Sequence, residues 1–374
     1  MKVAIVHYWL VERRGGERVV EALCGIYPQA DVFTNVFDPE PFAETLKGHR
    51  VTTSFVNRLP LARKLLAAYL PLMPIALEQL DLRGYDLVIS CESGPAKGVI
   101  VNPDALHVCY CFSPMRYVWD LQHSYLAEAG PLGRMLMRPV LHYLRAWDYL
   151  SAQRPDVVIA LSEHVRDRVA KYWRRDAQVL PPPVDVGRFA AASRHRQEGA
   201  YYLYAGHLAG YKRPDLAVEA FNQLGLPLVV AGVGPDARKL RRMAGPNVSF
   251  RDRLTDDELA RTVAGCRALV FPGEEDFGIV AVEAMAAGRP VIAYRRGGLL
   301  DTVVEGVTGL FFDAQSAPAL ADAVRRFEQN ATSFDAGRIA AHALGFDRQA
   351  FDLRFREVVE NCLREHQEGR RPAR

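Results

Sequence analysis

Phe271-Pro-Gly-Glu-Glu275-Asp-Phe-Gly278-Ile-Val-Ala-Val-Glu283-Ala-Met-Ala-Ala-Gly288-Arg-Pro290-Val291 is the stretch on which the reading of this chain turns. An apolar run ends at Pro272, a loop with three acids and a glycine follows, a short helix runs to Gly288, and Pro290 opens the next strand. Strand, loop, helix, strand is the repeating unit of a parallel sheet, and it sets the acidic loop at a strand's carboxyl end. Ligands of open α/β sheets bind at such ends.

The residue types there suit a phosphorylated, hydroxylated ligand. Backbone N–H groups at the helix start, around Gly278, Ile279 and Val280, combine unpaired donors with a positive partial charge, and Gly278 lets a diphosphate come close. Glu283 lies about one turn into the helix, where its carboxylate can accept both hydroxyls of a vicinal diol such as a ribose. Glu275, ahead of the helix, can accept from the hydroxyls of a sugar. A plainer reading has these acids complement the helix dipole with Asp276 as cap; it accounts for Glu275 and Asp276 but not for Glu283.

Outward from this stretch the same alternation runs through the chain. Strands are predicted at Val3–His7, Leu87–Ser90, His107–Cys111 and Val157–Leu161, and again at Tyr201–Ala205, Leu228–Ala231, Ala268–Phe271 and Val291–Ala293. Between the two sets, Pro181-Pro182-Pro183 and a polar stretch from Ser193 to Gly199 break the pattern. The expected fold class is α/β, with two tandem doubly wound Rossmann-like domains facing across a cleft. Their expected bounds are 1–182, a linker 183–199, and 200–345, followed by a helix over 346–366 that packs back toward the first domain and a basic tail after it. Thr255-x-x-Glu258 reads as a capping box.

Composition narrows the function classes. With 374 residues, 49% hydrophobic and 24% charged, the chain is long enough for two cores and reads as a globular protein. A net charge of +3 does not call for a nucleic-acid partner. Leu65–Leu77 is too short and too proline-broken to span a bilayer, and the opening Lys2-Val3-Ala4-Ile5-Val6 has no leader character, so a cytoplasmic location is expected. The six cysteines lack zinc or disulfide spacing and read as reduced filler. Leu59–Leu82 and Gly133–Arg145 mix apolar and basic residues, which suits either peripheral contact with an anionic membrane or core packing with a solvated edge.

The spacing Glu275-x7-Glu283 in a Glu-Asp-Phe-Gly loop resembles the signature of family 4 retaining glycosyltransferases, which have the GT-B fold. The likeness covers nearly the whole chain and is nearest to the bacterial mannosyltransferase-like branch of O-antigen and exopolysaccharide synthesis. It is carried further by Gly15-Gly16-Glu17, by Ser113-Pro114-Met115-Arg116-Tyr117-Val118-Trp119-Asp120, by Tyr211-Lys212-Arg213 and by Gly297-Gly298. The resemblance implies a first domain that binds the acceptor through Arg116, Tyr117 and Trp119, and a second that binds the nucleotide sugar. It implies Glu275 and Lys212 as catalytic residues. Donor contacts are implied for Gly16, Phe112, Gly206, His207, Lys212, Arg213, Glu275, Phe277, Gly278, Ile279, Val280 and Glu283. The resemblance further implies a transfer that keeps the anomeric configuration without a metal or other cofactor, the leaving diphosphate helping to deprotonate the incoming hydroxyl. A diphosphate that departs needs cations or aimed donors, and Lys212 and Arg213, after the strand Tyr201–Ala205, suit that need independently.

The implied donor is a nucleoside diphosphate sugar, GDP-linked by preference, and the implied acceptor a polyprenyl-diphosphate-linked or other glycan at the inner membrane face. The chain departs from the family twice. Gly206-His207 stands where an arginine is usual, and Phe112 where a histidine usually reaches the donor's 6-hydroxyl. Phenylalanine offers a hydroxyl no partner, at a cost of about 1–3 kcal/mol, but gains roughly 0.8 kcal/mol per apolar carbon it covers, which points to a 6-deoxyhexose such as rhamnose. The same departures fit packing alone, or a catalytically weak nucleotide-sugar-binding pseudo-transferase with a scaffolding role. Gly232-Val-Gly234-Pro-Asp-Ala237 superficially fits a dinucleotide fingerprint, but Pro235 and the mid-chain position argue for a turn whose backbone binds ligand instead.

Overall fold

The computed structural model describes residues 1–13, 15–92, 94–194, 199 and 201–368. The expected basic tail, 369–374, and residues 195–198 of the expected linker lie outside the described residues. The chain divides into two units, Met1–Pro182 with Phe351–Arg374, and Pro183–Ala350.

The first unit is built on seven strands: β1 Val3–His7, β2 Asp31–Thr34, β3 Val51–Thr53, β4 Leu87–Glu92, β5 Leu106–Cys111, β6 Val157–Ala160 and β7 Gln178–Val179. All pair in parallel, in the order β3-β2-β1-β4-β5-β6-β7. Every residue of β1 and β5 is buried, as expected of inner parallel strands covered on both faces. The direction of winding reverses between β1 and β4, and the crevice in which open α/β sheets take ligands lies at the carboxyl ends of those two strands.

The helix Arg348–Gln367 supplies the last cover of this unit. Phe351, Phe355, Val359 and Cys362 form its buried stripe, the ring of Phe351 meets Tyr110 of β5 edge-on at 5.8 Å, and Arg356 donates to the carbonyl of Ile26. All six cysteines of the chain are buried free thiols. Among the described residues no helix is long and apolar enough to cross a membrane.

The second unit has β8 Tyr201–Ala205, β9 Leu228–Ala231, β10 Val248–Arg251, β11 Cys266–Phe271, β12 Val291–Tyr294 and β13 Gly309–Phe312. The sheet is parallel in the order β10-β9-β8-β11-β12-β13, the strand order of a dinucleotide-binding Rossmann sheet, with its reversal between β8 and β11. Its core joins Tyr202, Val230, Val270 and Ile292 to the helix residues Phe221, Leu320 and Phe327.

The expected linker 183–199 needs correction. It holds the helix Val186–Ser193, capped by Asp185, whose Val186 and Phe189 are 2% exposed and which packs on the helices Asp256–Ala264 and Ile279–Ala286. Two well-placed apolar side chains thus turned a proline-led connector into part of the second unit's core. The helix Asp256–Ala264 begins with both hydrogen bonds of the capping box, Thr255 to the Glu258 backbone and Glu258 back to Thr255.

Candidate functional site

In the second unit the two strands that flank the reversal send out the two loops that matter. After β8 the chain passes Gly206 and His207, makes a single 3-10 turn over Gly210–Lys212, and enters a helix at Pro214. Arg213 adopts a left-handed φ of 54°, uncommon for a residue with a Cβ, and so turns the chain from the 3-10 turn into the helix. After β11 comes the acidic loop, Glu274 to Phe277. The structure brings the two loops together: Lys212 Nζ lies 2.7 Å from Glu275 Oε1, with the side chains 23% and 19% exposed. A paired cation and carboxylate, each open to solvent on one side, stand at the sheet's carboxyl edge.

The helix Ile279–Ala286 then runs away from this point. Gly278 is its N-cap, at φ 85°, and no side chain caps it, so Asp276 does not take the role that the plainer reading gave it. Ala281 N–H turns back to the Gly278 carbonyl at 2.9 Å, but the N–H groups of Ile279 and Val280 have no intrahelical acceptor and no side-chain cap, which is the arrangement that receives anions. Glu283 sits one turn further and is 2% exposed.

Other predicted contacts are placed differently. Arg213 is held by Asp215, two residues on, through two hydrogen bonds of 3.0 Å, and in this structure its charge is paired there. Phe277 is 3% exposed and its ring packs edge-on against Phe346 at 5.7 Å, so only its backbone is available to a ligand. His207 is exposed, and its carbonyl accepts from the hydroxyl of Tyr204 at 3.4 Å. Burial, with the charge of Glu275 as the next cause, raises that hydroxyl's pKa well above the usual tyrosine range, so Tyr204 stays a neutral donor.

Two glycine pairs explain how the loops fit. Gly298 donates its N–H to the Glu275 carbonyl at 2.8 Å, and a Cβ on Gly297 or Gly298 would fall on the carbonyl oxygen of Glu275 or Asp276 respectively. The loop after β12 is therefore a backbone shelf under the acids. Likewise a Cβ on Gly232 or Gly234 would strike the carbonyl of Gly206 or Leu208. The Gly-x-Gly turn after β9 is thus bare because it packs against the His207 loop.

At the matching edge of the first unit, β1 leads toward the helix Gly15–Ile26. Gly16 lies against the ring of Phe112, where a Cβ would come within 2.9 Å of it. Phe112 is 8% exposed and contacts the rings of His7 and Tyr110 edge-on at 6.1 and 5.7 Å. It fills the space that glycine leaves. Glu17, missed by sequence reasoning, is 3% exposed with its carboxylate 3.6 Å from Nε2 of the buried His7. The available signal was an acid directly after Gly-Gly on the helix face that turns inward.

The loop after β5 carries the predicted acceptor residues. Arg116 and Tyr117 are half-buried. Trp119 is differently engaged: its ring stacks on Tyr172 at 4.7 Å and 14°, the Arg145 guanidinium lies 5.6 Å over the ring, and its N–H donates to Asp148 at 2.8 Å. These contacts anchor the loop.

Comparison with known proteins agrees with this architecture. Among solved structures the chain is similar to HepE from Anabaena crystallised with UDP (TM-score 0.70, 17% identity, 96% of this chain and 100% of that one) and to sucrose-phosphate synthase from Thermosynechococcus elongatus (TM-score 0.75, 22%, 96% and 99%). The fold is that of the two-domain GT-B glycosyltransferases. The family pattern described as Glycosyltransferase Family 4 matches residues 13–188, and the one described as Glycosyl transferases group 1 matches residues 186–340. The chain belongs to the family 4 glycosyltransferases.

Curated relatives include the D-inositol 3-phosphate glycosyltransferase of Nocardioides sp., 31% identical over 226 residues, 50% of this chain and 49% of that one. Another is the GDP-mannose-dependent alpha-(1-6)-phosphatidylinositol monomannoside mannosyltransferase of Mycobacterium tuberculosis, 33% identical over 198 residues, 45% and 51%. The chain spans about half the length of the curated relatives it matches.

Proposed function

We propose that this protein is a retaining hexosyltransferase that takes a sugar from a nucleoside diphosphate, GDP by preference, and places it on a lipid-linked glycan in cell-surface polysaccharide synthesis. The observation that carries the reading is the Lys212–Glu275 pair beside the uncapped start of the helix Ile279–Ala286. The diphosphate takes the N–H groups of Gly278 to Val280 and the ammonium of Lys212. Glu275, released from Lys212, accepts from the sugar's hydroxyls, and Glu283 from the ribose. As the anomeric C–O bond breaks, its electrons stay on the diphosphate oxygen, whose charge Lys212 and the helix terminus stabilise. The acceptor hydroxyl gives its proton to that oxygen as the new bond forms. The GDP preference draws support from relatives named as GDP-mannose-dependent.

Arg116 and Tyr117 are assigned to the acceptor. A membrane-borne acceptor is supported by the helix Pro131–Ser151, whose Leu132, Met135 and Leu136 are 65%, 63% and 60% exposed beside the exposed Arg134 and Arg138. Leu61, Leu65, Leu72 and Ile75 are similarly exposed.

The test is calorimetry and turnover with GDP-mannose, GDP-rhamnose and UDP-glucose on the purified protein. Turnover of any of them supports the enzyme; tight binding without turnover makes the chain a scaffolding pseudo-transferase. In the same experiment GDP-rhamnose is expected to outcompete GDP-mannose, and Phe112→His to reverse the order. If the wild type prefers mannose, or the substitution leaves the preference unmoved, Phe112 serves packing alone.

His207, exposed on the loop after β8, is assigned to the diphosphate. His207→Ala is expected to weaken nucleoside diphosphate binding by about 1 kcal/mol, the worth of one hydrogen bond. Unchanged affinity by calorimetry removes His207 from the phosphate contacts.

A further inference from the structure

Three of the chain's four tryptophans meet around one buried ion pair in the first unit. Lys97 and Asp148 are both 0% exposed, with Nζ 2.6 Å from Oδ1. The other oxygen, Oδ2, accepts from two indoles, Trp119 at 2.8 Å and Trp173 at 2.7 Å. The ammonium lies over the rings of Trp147 and Trp173, at 5.4 and 4.6 Å. Asp148 belongs to the helix Pro131–Ser151, Trp173 ends the helix Glu163–Trp173, and Trp119 lies in the loop after β5.

Burying such a pair is a poor way to stabilise a fold, because desolvation offsets most of the attraction and well-packed apolar residues do as well or better. What the pair supplies is direction. A carboxylate held by Lys97 and Trp173 presents its remaining acceptor site at one fixed place, and the loop's Trp119 must meet it there. The neighbouring residues are tied to the same helices: Arg145 donates to the carbonyl of Val118 at 2.9 Å, and Arg168 pairs with Asp120. The segment between Arg116 and Asp120 is thereby tied to both helices through three consecutive residues, Val118, Trp119 and Asp120.

We propose that Asp148 is a positioning residue that acts through Trp119 to set the acceptor-binding geometry of the loop Ser113–Asp120. The proposal rests on the assignment of that loop to the acceptor. Trp119→Phe and Trp173→Phe are the informative pair, since each removes the same kind of hydrogen bond from the same oxygen while keeping an aromatic ring. If the cluster serves stability alone, the two variants behave alike. If Asp148 positions the loop, only Trp119→Phe acts on it.

Amide hydrogen exchange across Ser113–Gln122, and transfer from GDP-mannose to a panel of octyl glycosides as probe acceptors, read the difference. Trp119→Phe is expected to speed exchange of the loop about tenfold and raise the acceptor KM about tenfold, the change for losing one hydrogen bond to a charged group, with GDP affinity unchanged. Trp173→Phe is expected to leave both loop exchange and acceptor KM at wild-type values. Asp148→Asn, if it folds, should reproduce Trp119→Phe. Equal loop exchange in the two tryptophan variants overturns the proposal. So does a raised acceptor KM in Arg116→Ala with none in Trp119→Phe. A faster loop in Trp119→Phe with acceptor KM unmoved in both Trp119→Phe and Arg116→Ala sinks instead the acceptor role of the loop.

Discussion

Glu275→Ala is expected to slow sugar transfer by about 100-fold or more while GDP affinity holds or rises, the scale of removing one preorganised electrostatic contact. The reason is the ion pair: in the unliganded protein Glu275 neutralises Lys212 at 2.7 Å, so its loss leaves the ammonium wholly to the diphosphate. Glu283→Ala has the opposite profile. Assigned to the ribose, it is expected to weaken GDP binding about 10–100-fold, the loss of one or two hydrogen bonds to a charged acceptor. Calorimetry with GDP and single-turnover rates separate the two, since an interaction made only in the transition state lowers kcat without touching ground-state binding. Matching losses of GDP affinity in both variants would falsify this division of labour. Because Glu283 is 2% exposed, its variant needs a melting curve alongside, so that a collapsed helix is not mistaken for a lost ribose contact.

Gly298→Ala is expected to cost about 3 kcal/mol and about 5–10 °C in Tm, and to depress transfer more than GDP binding. The new Cβ would fall on the carbonyl oxygen of Asp276, with Phe277 Cα at 2.6 Å, and backbone has no rotamer into which to withdraw. The acidic loop must therefore shift, and Glu275 with it. Leu300→Ala, two residues on at a side chain 51% exposed, is the control and should melt with the wild type. A Gly298→Ala protein with wild-type Tm and wild-type transfer would mean that the shelf after β12 does not hold the acids.

Most inner strands of the two sheets were legible in the sequence because they are covered on both faces and so read as apolar runs: Val3–Val6, Leu228–Ala231 and Val291–Ala293 are such runs, whereas the inner β2, Asp31–Thr34, is four residues long, opens on an acid and was missed. The outer ones were not legible either. Val51-Thr-Thr has no fully buried residue, Val248-Ser-Phe-Arg exposes Arg251, and Gln178-Val179 is two residues long. An edge strand needs one apolar face at most, and pairing rather than composition makes it a strand. The acidic loop could be read because its acids, glycine and helix start are contiguous. Asp148 and Lys97 could not, because they stand 51 residues apart and nothing local announces that a charge in a helix will be buried. The packing of the Gly232–Gly234 turn against the His207 loop could not be read for a related reason: sequence shows that a backbone is bare, not which loop lies against it.

The helix Arg348–Gln367 carries a consequence for how the chain is made. Within the second unit, Val184 pairs with Asp347, and Val184 N–H donates to Phe346 while Arg348 N–H donates to Val184, so this unit's entry and exit lie side by side. It is an insertion within the first unit, whose Tyr110 waits for Phe351 and Phe355. During synthesis the inserted unit can close as soon as Asp347 clears the ribosome, whereas the unit that was begun first keeps an apolar face uncovered for some 20 residues more. The order of completion is thus the reverse of the order of translation.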